Sequence, residues 1–505
     1  MWKNGSRTEA KEMTMPRTKL ALLAGAALML AAAEPPFASV QPDVLGMPGS
    51  LSNAWADFDN DGDLDLAVSL KSGEIRLYRN DGGKLTSVGA VMGLPTGGYE
   101  FRALDWGDYD GDGWVDLLAG ATQPEKLSAL FHNEGGKKFV DVAADVGLTL
   151  PGRSSRQNNW IDYDNDGDLD LYATNRMGPN KLFRNDGGKF VQVFADGGPT
   201  VFRSTVGACW LDYDKDGDLD LFLANQSGKS DSLYRNDGDA FVDVAPQLGM
   251  DQPARAADDG GVGCAVGDYD NDGNLDIFVP NYGHNTLWKG DGKGGFVNVA
   301  QALGVGVENH AVGAAWGDYD NDGWLDLSVM SYEGAPGQQT PKDALFHNEG
   351  GKGFVNVLKA GGALDAGDHG VTWVDYDKDG AVDLSLTRGY SPVGGHFVFR
   401  NLLPKAAARQ SLQVTVLDAK GRFTQQGAEV RVYGAGGKLL GTGQVSTGGG
   451  YGAQGATPVH FGLPGASKVT VEVTFMSASG RKVQKVENVD LKAYAGKSLV
   501  VRRAS

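Results

Sequence analysis

The sequence predicts an all-β protein, a seven-bladed β-propeller followed by a smaller C-terminal β-sandwich-like domain. Three observations predict it. An aspartate-rich nonamer occurs seven times in the 505 residues. Its copies start 50 to 57 residues apart, which suits one four-stranded propeller blade better than a helical solenoid unit. After the last copy the nonamer disappears, while short alternating apolar runs continue.

The copies are DFDNDGDLD from Asp57, DYDGDGWVD from Asp108, DYDNDGDLD from Asp162, DYDKDGDLD from Asp212, DYDNDGNLD from Asp268, DYDNDGWLD from Asp318 and DYDKDGAVD from Asp375. Two residues before six of them stands a tryptophan, with Val266 the exception. Behind each nonamer apolar residues alternate, as at Leu64, Leu66 and Val68, the period of a half-buried strand. A further strand ends in a turn such as LYRNDGG from Leu77 or LFHNEGG from Leu130, whose Asn, Asp and Gly tolerate the positive φ of a hairpin. A fourth short strand starts at Phe139, Phe190, Phe241, Phe296 or Phe354. The seventh repeat lacks this strand, and the segment from Phe37 resembles it, so residues near 37–41 are expected to complete the last blade and remove an open edge.

Aspartates crowded into nine residues repel one another unless a cation neutralises them. Ca²⁺ is hard, prefers oxygen and accepts six to eight ligands. Asp at positions 1, 3 and 5 with Gly at 6 begins like an EF-hand, but position 12 is always apolar, and Asp at position 9 closes the loop instead. The pattern D-x-D-x-D-G-x-x-D resembles the FG-GAP/VCBS, integrin-α-type calcium loop. Trp-x-Asp-Tyr-Asp followed by Leu-Phe-Arg-Asn is similar to the repeats of the cartilage acidic protein family. The resemblance implies about seven structural Ca²⁺ ions. Its ligands would be Asp57, Asp59, Asp61 and Asp65 in the first loop; Asp108, Asp110, Asp112 and Asp116 in the second; and Asp162, Asp164, Asp166 and Asp170 in the third. The fourth would use Asp212, Asp214, Asp216 and Asp220, and the fifth Asp268, Asp270, Asp272 and Asp276. The sixth would use Asp318, Asp320, Asp322 and Asp326, and the seventh Asp375, Asp377, Asp379 and Asp383.

Composition narrows the class further. Apolar residues make up 41%, enough for a packed core, and 75 glycines without a G-X-Y period mean many tight turns. The net charge of −18 argues against nucleic acid, whose phosphates require a surplus of Lys and Arg. Residues 1–33 read as a leader and secretory signal, with Arg17 and Lys19 before the apolar run Leu20–Ala33 and an Ala-Ala-Ala cleavage site. No other segment is long and apolar enough for a membrane helix. The propeller is expected over 34–403, a linker over 404–410 and the second β domain over 411–505. The last of these resembles the ASPIC/UnbV domain through GAEVRVYG from Gly427, GGGYGAQ from Gly448 and VHFGL from Val459. The glycine cluster 448–450 reads as a plain connector. Cys209 and Cys264, the only cysteines, read as small core thiols rather than a bridge.

No nucleophile elbow, zinc helix or Cys/His pair appears, and Glu100 and Glu308 are the weak carboxylate candidates outside the loops. His132 and His347 replace arginine in the repeat and read as structural. Loops entering the first strands carry Arg102, Arg153, Arg156, Arg203, Arg255, His310 and His369, a candidate cationic ligand face. The expected function is calcium-dependent binding or adhesion of an extracellular protein or glycan, outside the cytoplasm or on the cell surface. The alternative is an exported hydrolase or lyase acting on a polysaccharide.

Overall fold

The computed structural model describes residues 36–504 apart from 149, 152–154, 196, 239, 254, 333–342, 360–361, 366–368 and 390–394. The expected signal segment 1–33 and Arg153 lie outside the described residues. The fold is all-β and propeller-like: each repeat builds a four-stranded antiparallel sheet, and the second gains Ala453–Gln454 as a fifth, parallel strand. In the third, Asn158–Ile161, Asp170–Ala173, Lys181–Asn185 and Phe190–Val193 follow in order, with the nonamer as the hairpin between the first two strands. The sheet holding His396–Asn401 receives its fourth strand from Phe37–Ser39, with Phe37 opposite Asn401.

Adjacent sheets are held together by the residues that mark the repeat. Trp55, Trp106, Trp160 and Trp210 are fully buried. The Trp160 indole donates to the Asp105 carbonyl of the preceding sheet at 3.3 Å. It packs so closely on Gly107 that a Cβ there would lie 2.6 Å from the ring, which accounts for the missing side chain. The turn asparagine has a second role that turn chemistry alone does not indicate. Asn236 Nδ2 donates to the Leu219 carbonyl of its own sheet (3.2 Å) and to the Tyr163 carbonyl of the preceding one (2.9 Å). Asn80, Asn133, Asn185, Asn348 and Asn401 repeat this clip, and Asn80 reaches Tyr376 of the seventh repeat. In the fifth repeat Gly290 occupies the place, so the clip to the fourth is missing there. Replacing Asn236 by Ala leaves two buried carbonyls unsatisfied and is expected to cost about 1–3 kcal/mol. Urea unfolding of Asn236→Ala beside the parent protein measures it, and an unchanged midpoint would refute the clip.

Cys209 and Cys264 form a disulfide, correcting the expectation of free thiols. They sit at corresponding places near the first strands of adjacent sheets, with Cα atoms 6.2 Å apart. A sequence separation of 55 residues is one repeat length, which in this fold means side by side.

Residues 411–504 form two further sheets around one apolar core containing Val414, Val430, Val471 and Val473. Lys405–Ala408, within the expected linker, is a helical turn. The glycine cluster is not an exposed connector. Residues 447–456 enter among the first strands of the repeat sheets and hydrogen-bond to five of them. Thr447 Oγ1 donates to the Trp210 carbonyl (3.0 Å), and Gly450 exchanges backbone bonds with Ala314 (3.1 and 3.2 Å). The Gly452 carbonyl accepts from Leu104 N (3.1 Å), and the Gln454 amide brackets the Trp160 backbone (2.7 and 3.0 Å). Ala456 N donates to the Trp55 carbonyl (2.8 Å). Gly450 has φ 72°, and a Cβ there would lie 2.3 Å from the Val371 carbonyl oxygen, so no larger residue fits.

Candidate metal centres

The nonamer folds into one geometry throughout, shown here by the third copy. Asn165 at position 4 and Gly167 at position 6 both take positive φ (59° and 98°), so the chain turns twice within three residues. Asn and Gly tolerate that region, which explains both preferences. The Asp162 carboxylate accepts from Asp166 N and Gly167 N, each at 3.0 Å, and Asp166 accepts from Asp168 N at 2.9 Å. Asp170 at position 9 is fully buried and accepts from Tyr163 N (3.1 Å) and Asn185 N (2.8 Å). It thereby ties the loop to the hairpin that carries the clip. Equivalent bonds recur at Asp65, Asp116, Asp220, Asp276, Asp326 and Asp383.

These bonds draw the carboxylates together. Oxygens of Asp162, Asp164 and Asp170 lie within 4.8 Å of one another, as do those of Asp57, Asp59 and Asp61, and of Asp108, Asp110 and Asp116. Burial is the main force pushing up the Asp162 carboxyl, to about 7, with the charges of Asp166 and Asp164 adding to it. Burial likewise raises Asp57 to about 6, Asp375 to about 7 and Asp65 to about 8. Oδ1 of Asp59, Asp164, Asp214, Asp270 and Asp377, all at position 3, is buried without a hydrogen-bond partner, as is Oδ1 of Asp108 and Asp212. An unsatisfied buried carboxylate oxygen is costly, and a hard cation with oxygen preference removes that cost. The donor set therefore fits a divalent ion.

The residue before the turn asparagine also faces the loop, a role the sequence reading did not assign. Lys289 contacts Asp270 and lies 3.1 Å from Asp272, and Arg400 lies 2.6 Å from Asp377. His132 Nδ1 lies 3.1 Å from Asp116 and 3.4 Å from Asp110, and His347 does the same at Asp326 and Asp320. Arg79, Arg184 and Arg235 pair with Asp81, Asp186 and Asp237 of the turn instead.

The C-terminal residues lie on the acidic-loop side. Arg481 bridges Asp212 (2.6 Å) and Glu429 (2.7 Å), Gln413 Nε2 donates to Asp375 (2.6 Å), and Arg431 donates to the Gly273 carbonyl (3.1 Å).

Two sequence models match. Residues 57–119, 162–223, 212–279 and 268–329 match the FG-GAP-like repeat, and residues 420–495 match ASPIC and UnbV. The chain carries FG-GAP-like repeats and a C-terminal ASPIC and UnbV domain. Mouse cartilage acidic protein 1 is 26% identical over 161 residues, 30% of this chain. The match spans only 24% of that protein's length. Among solved structures, an Agrocybe aegerita lectin described as recognising non-reducing terminal N-acetylglucosamine aligns with 69% of this chain and 93% of its own, at 16% identity and a TM-score of 0.43.

Among the described residues, the candidate cationic face is not an open ring. Arg102 pairs with Glu100 (2.6 Å), Arg203 with Asp243 (3.1 Å) and Arg255 with Asp231 (2.9 Å). Arg156 and His369 are buried, His369 against Tyr451 (5.3 Å), and His310 stacks on Tyr282 at 3.8 Å. Arg102 finds its acid within its own segment, whereas Arg203 and Arg255 find theirs on the strand Phe241–Asp243 and at Asp231. Glu308 is exposed beside His284 at 3.8 Å, far in sequence from Glu100 and paired differently.

Proposed function

We propose that this is an exported, calcium-loaded protein whose residues 34–403 form a seven-bladed propeller, joined through 404–410 to a β-sandwich-like domain at 411–505. It acts as a binding or adhesion module for an extracellular protein or glycan. The observation that carries the reading is the recurrence, loop after loop, of a buried and unpartnered carboxylate oxygen among crowded aspartates. The four aspartates at positions 1, 3, 5 and 9 are assigned as ligands in every loop. Position 9 accepts two N–H groups yet keeps lone pairs for a metal, because each carboxylate oxygen has two. The family match supports a binding-type propeller, and the disulfide fits an oxidising compartment. Among the described residues no helix is long and apolar enough to cross a membrane.

At a tenfold excess of free ion over Kd, each site stabilises the fold by roughly 1.4 kcal/mol, and seven sites by on the order of 10 kcal/mol. Calorimetric titration of Ca²⁺ into stripped protein should show uptake near seven ions and a large rise in Tm. Negligible uptake with an unchanged melt would remove the metal assignment.

A further inference from the structure

A cleft of about 510 Å³ opens between the seventh acidic loop and the C-terminal residues. It lies within the roughly 300–1,000 Å³ typical of small-ligand sites. One wall is the loop, with Asp375, Asp377 and Asp379 beside Arg400. The other carries Lys405, Arg409 and Lys497, all exposed to solvent, and the Tyr494 ring, with Lys497 Nζ 5.8 Å from its centroid. The fourth loop differs, since Arg481 there is consumed by Asp212 and Glu429.

Chemistry narrows the ligand. With the seventh loop loaded, the ion and Arg400 offset most of its negative charge, and the three lysine and arginine side chains leave the cleft net positive. This occurs in a chain whose overall charge is −18. A local field of sign opposite to the whole concentrates anions. A carboxylate suits both an ammonium or guanidinium group and a hard cation. An aromatic ring in the wall offers an apolar face to a sugar ring.

We infer that this cleft is a binding site for a carboxylated saccharide of one or two units, held by Lys405, Arg409 and Lys497 beside the seventh metal loop with a sugar ring against Tyr494. The inference rests on the calcium-loaded reading above. The test is calorimetric titration of digalacturonate into the full chain in calcium, with uncharged digalactose and an aspartate hexapeptide as comparisons. The variants are Lys405→Glu with Arg409→Glu, and separately Lys497→Glu. Calcium uptake and Tm are recorded on each sample. The expected result is digalacturonate binding that falls at least tenfold in the double variant, with calcium uptake and Tm unchanged and no binding of digalactose. Absence of calcium uptake fails the parent reading and this site with it. Normal uptake with no digalacturonate binding, or with equal binding by parent and variants, overturns this site alone. Binding of the hexapeptide in place of the saccharide overturns the saccharide assignment.

Discussion

Stripped of divalent ions by exhaustive dialysis, the protein is expected to melt at a higher temperature at pH 5 than at pH 8. The cause lies in the loop carboxylates, which burial above all holds in the protonated form. Asp57, Asp108 and Asp268 are raised to about 6, Asp116, Asp162, Asp212, Asp326 and Asp375 to about 7, and Asp65 to about 8. An unfolded aspartate titrates near 3.9. Between that value and the folded one, the native state binds more protons than the unfolded chain, so stability falls as pH rises. The decline begins near pH 4 and continues through the folded values of about 6 to 8. His132 and His347, raised to about 9 chiefly by hydrogen bonds to Asp116 and Asp326, act in the same direction. Their contribution is complete below about 6.5 and is lost as pH rises through 9. In saturating calcium the trend should reverse, because the ligands must be deprotonated to hold the ion. Relief of the overall charge acts in both conditions, so the difference between the two melting series reports the loops. Parallel curves with and without calcium would refute the coupling of these carboxylates to metal.

The second large effect is expected at Arg481. Its guanidinium lies between two buried acids, Asp212 of the fourth loop and Glu429 on the strand Glu429–Tyr433. Arg481→Ala leaves Asp212 without this partner and Glu429 with Arg431 (2.5 Å), and removing one member of a buried ionic group typically costs about 3–5 kcal/mol. In calcium-free protein at pH 8, Arg481→Ala with Asp212→Asn should recover part of the loss, because the charge stranded by the single variant is gone. Urea unfolding of the single and double variants measures both. A loss below about 1 kcal/mol, or no recovery in the double variant, would mean that the contact does not couple the acidic loop to the C-terminal sheets.

Much of this was legible in the residues because a repeat repeats its local physics. The nonamer encodes its own turn through Asn165 and Gly167, and the alternation at Leu64, Leu66 and Val68 encodes a strand. The expected fourth strand of the last sheet, near residue 37, pairs as its sequence likeness suggested. Other features depend on which repeat stands beside which. Asn236 looked like a turn former, and only the neighbouring sheet shows the Tyr163 carbonyl that it holds. Cys209 and Cys264 read as core thiols rather than a bridge, and only the adjacent sheets bring their Cα atoms to 6.2 Å. Arg102, Arg203 and Arg255 looked like a shared ring until Glu100, Asp243 and Asp231 were seen to hold them.

The sequence by itself determined the all-β class, the repeat and its acidic loops, since hydrophobic period and turn chemistry act over a few residues. Only the tertiary structure decided that residues 447–456 thread among the first strands and that the C-terminal sheets lie over the acidic loops. Those contacts join groups hundreds of residues apart, such as Thr447 with Trp210 and Arg481 with Asp212. No local pattern encodes them, because their free energy exists only once both surfaces have formed.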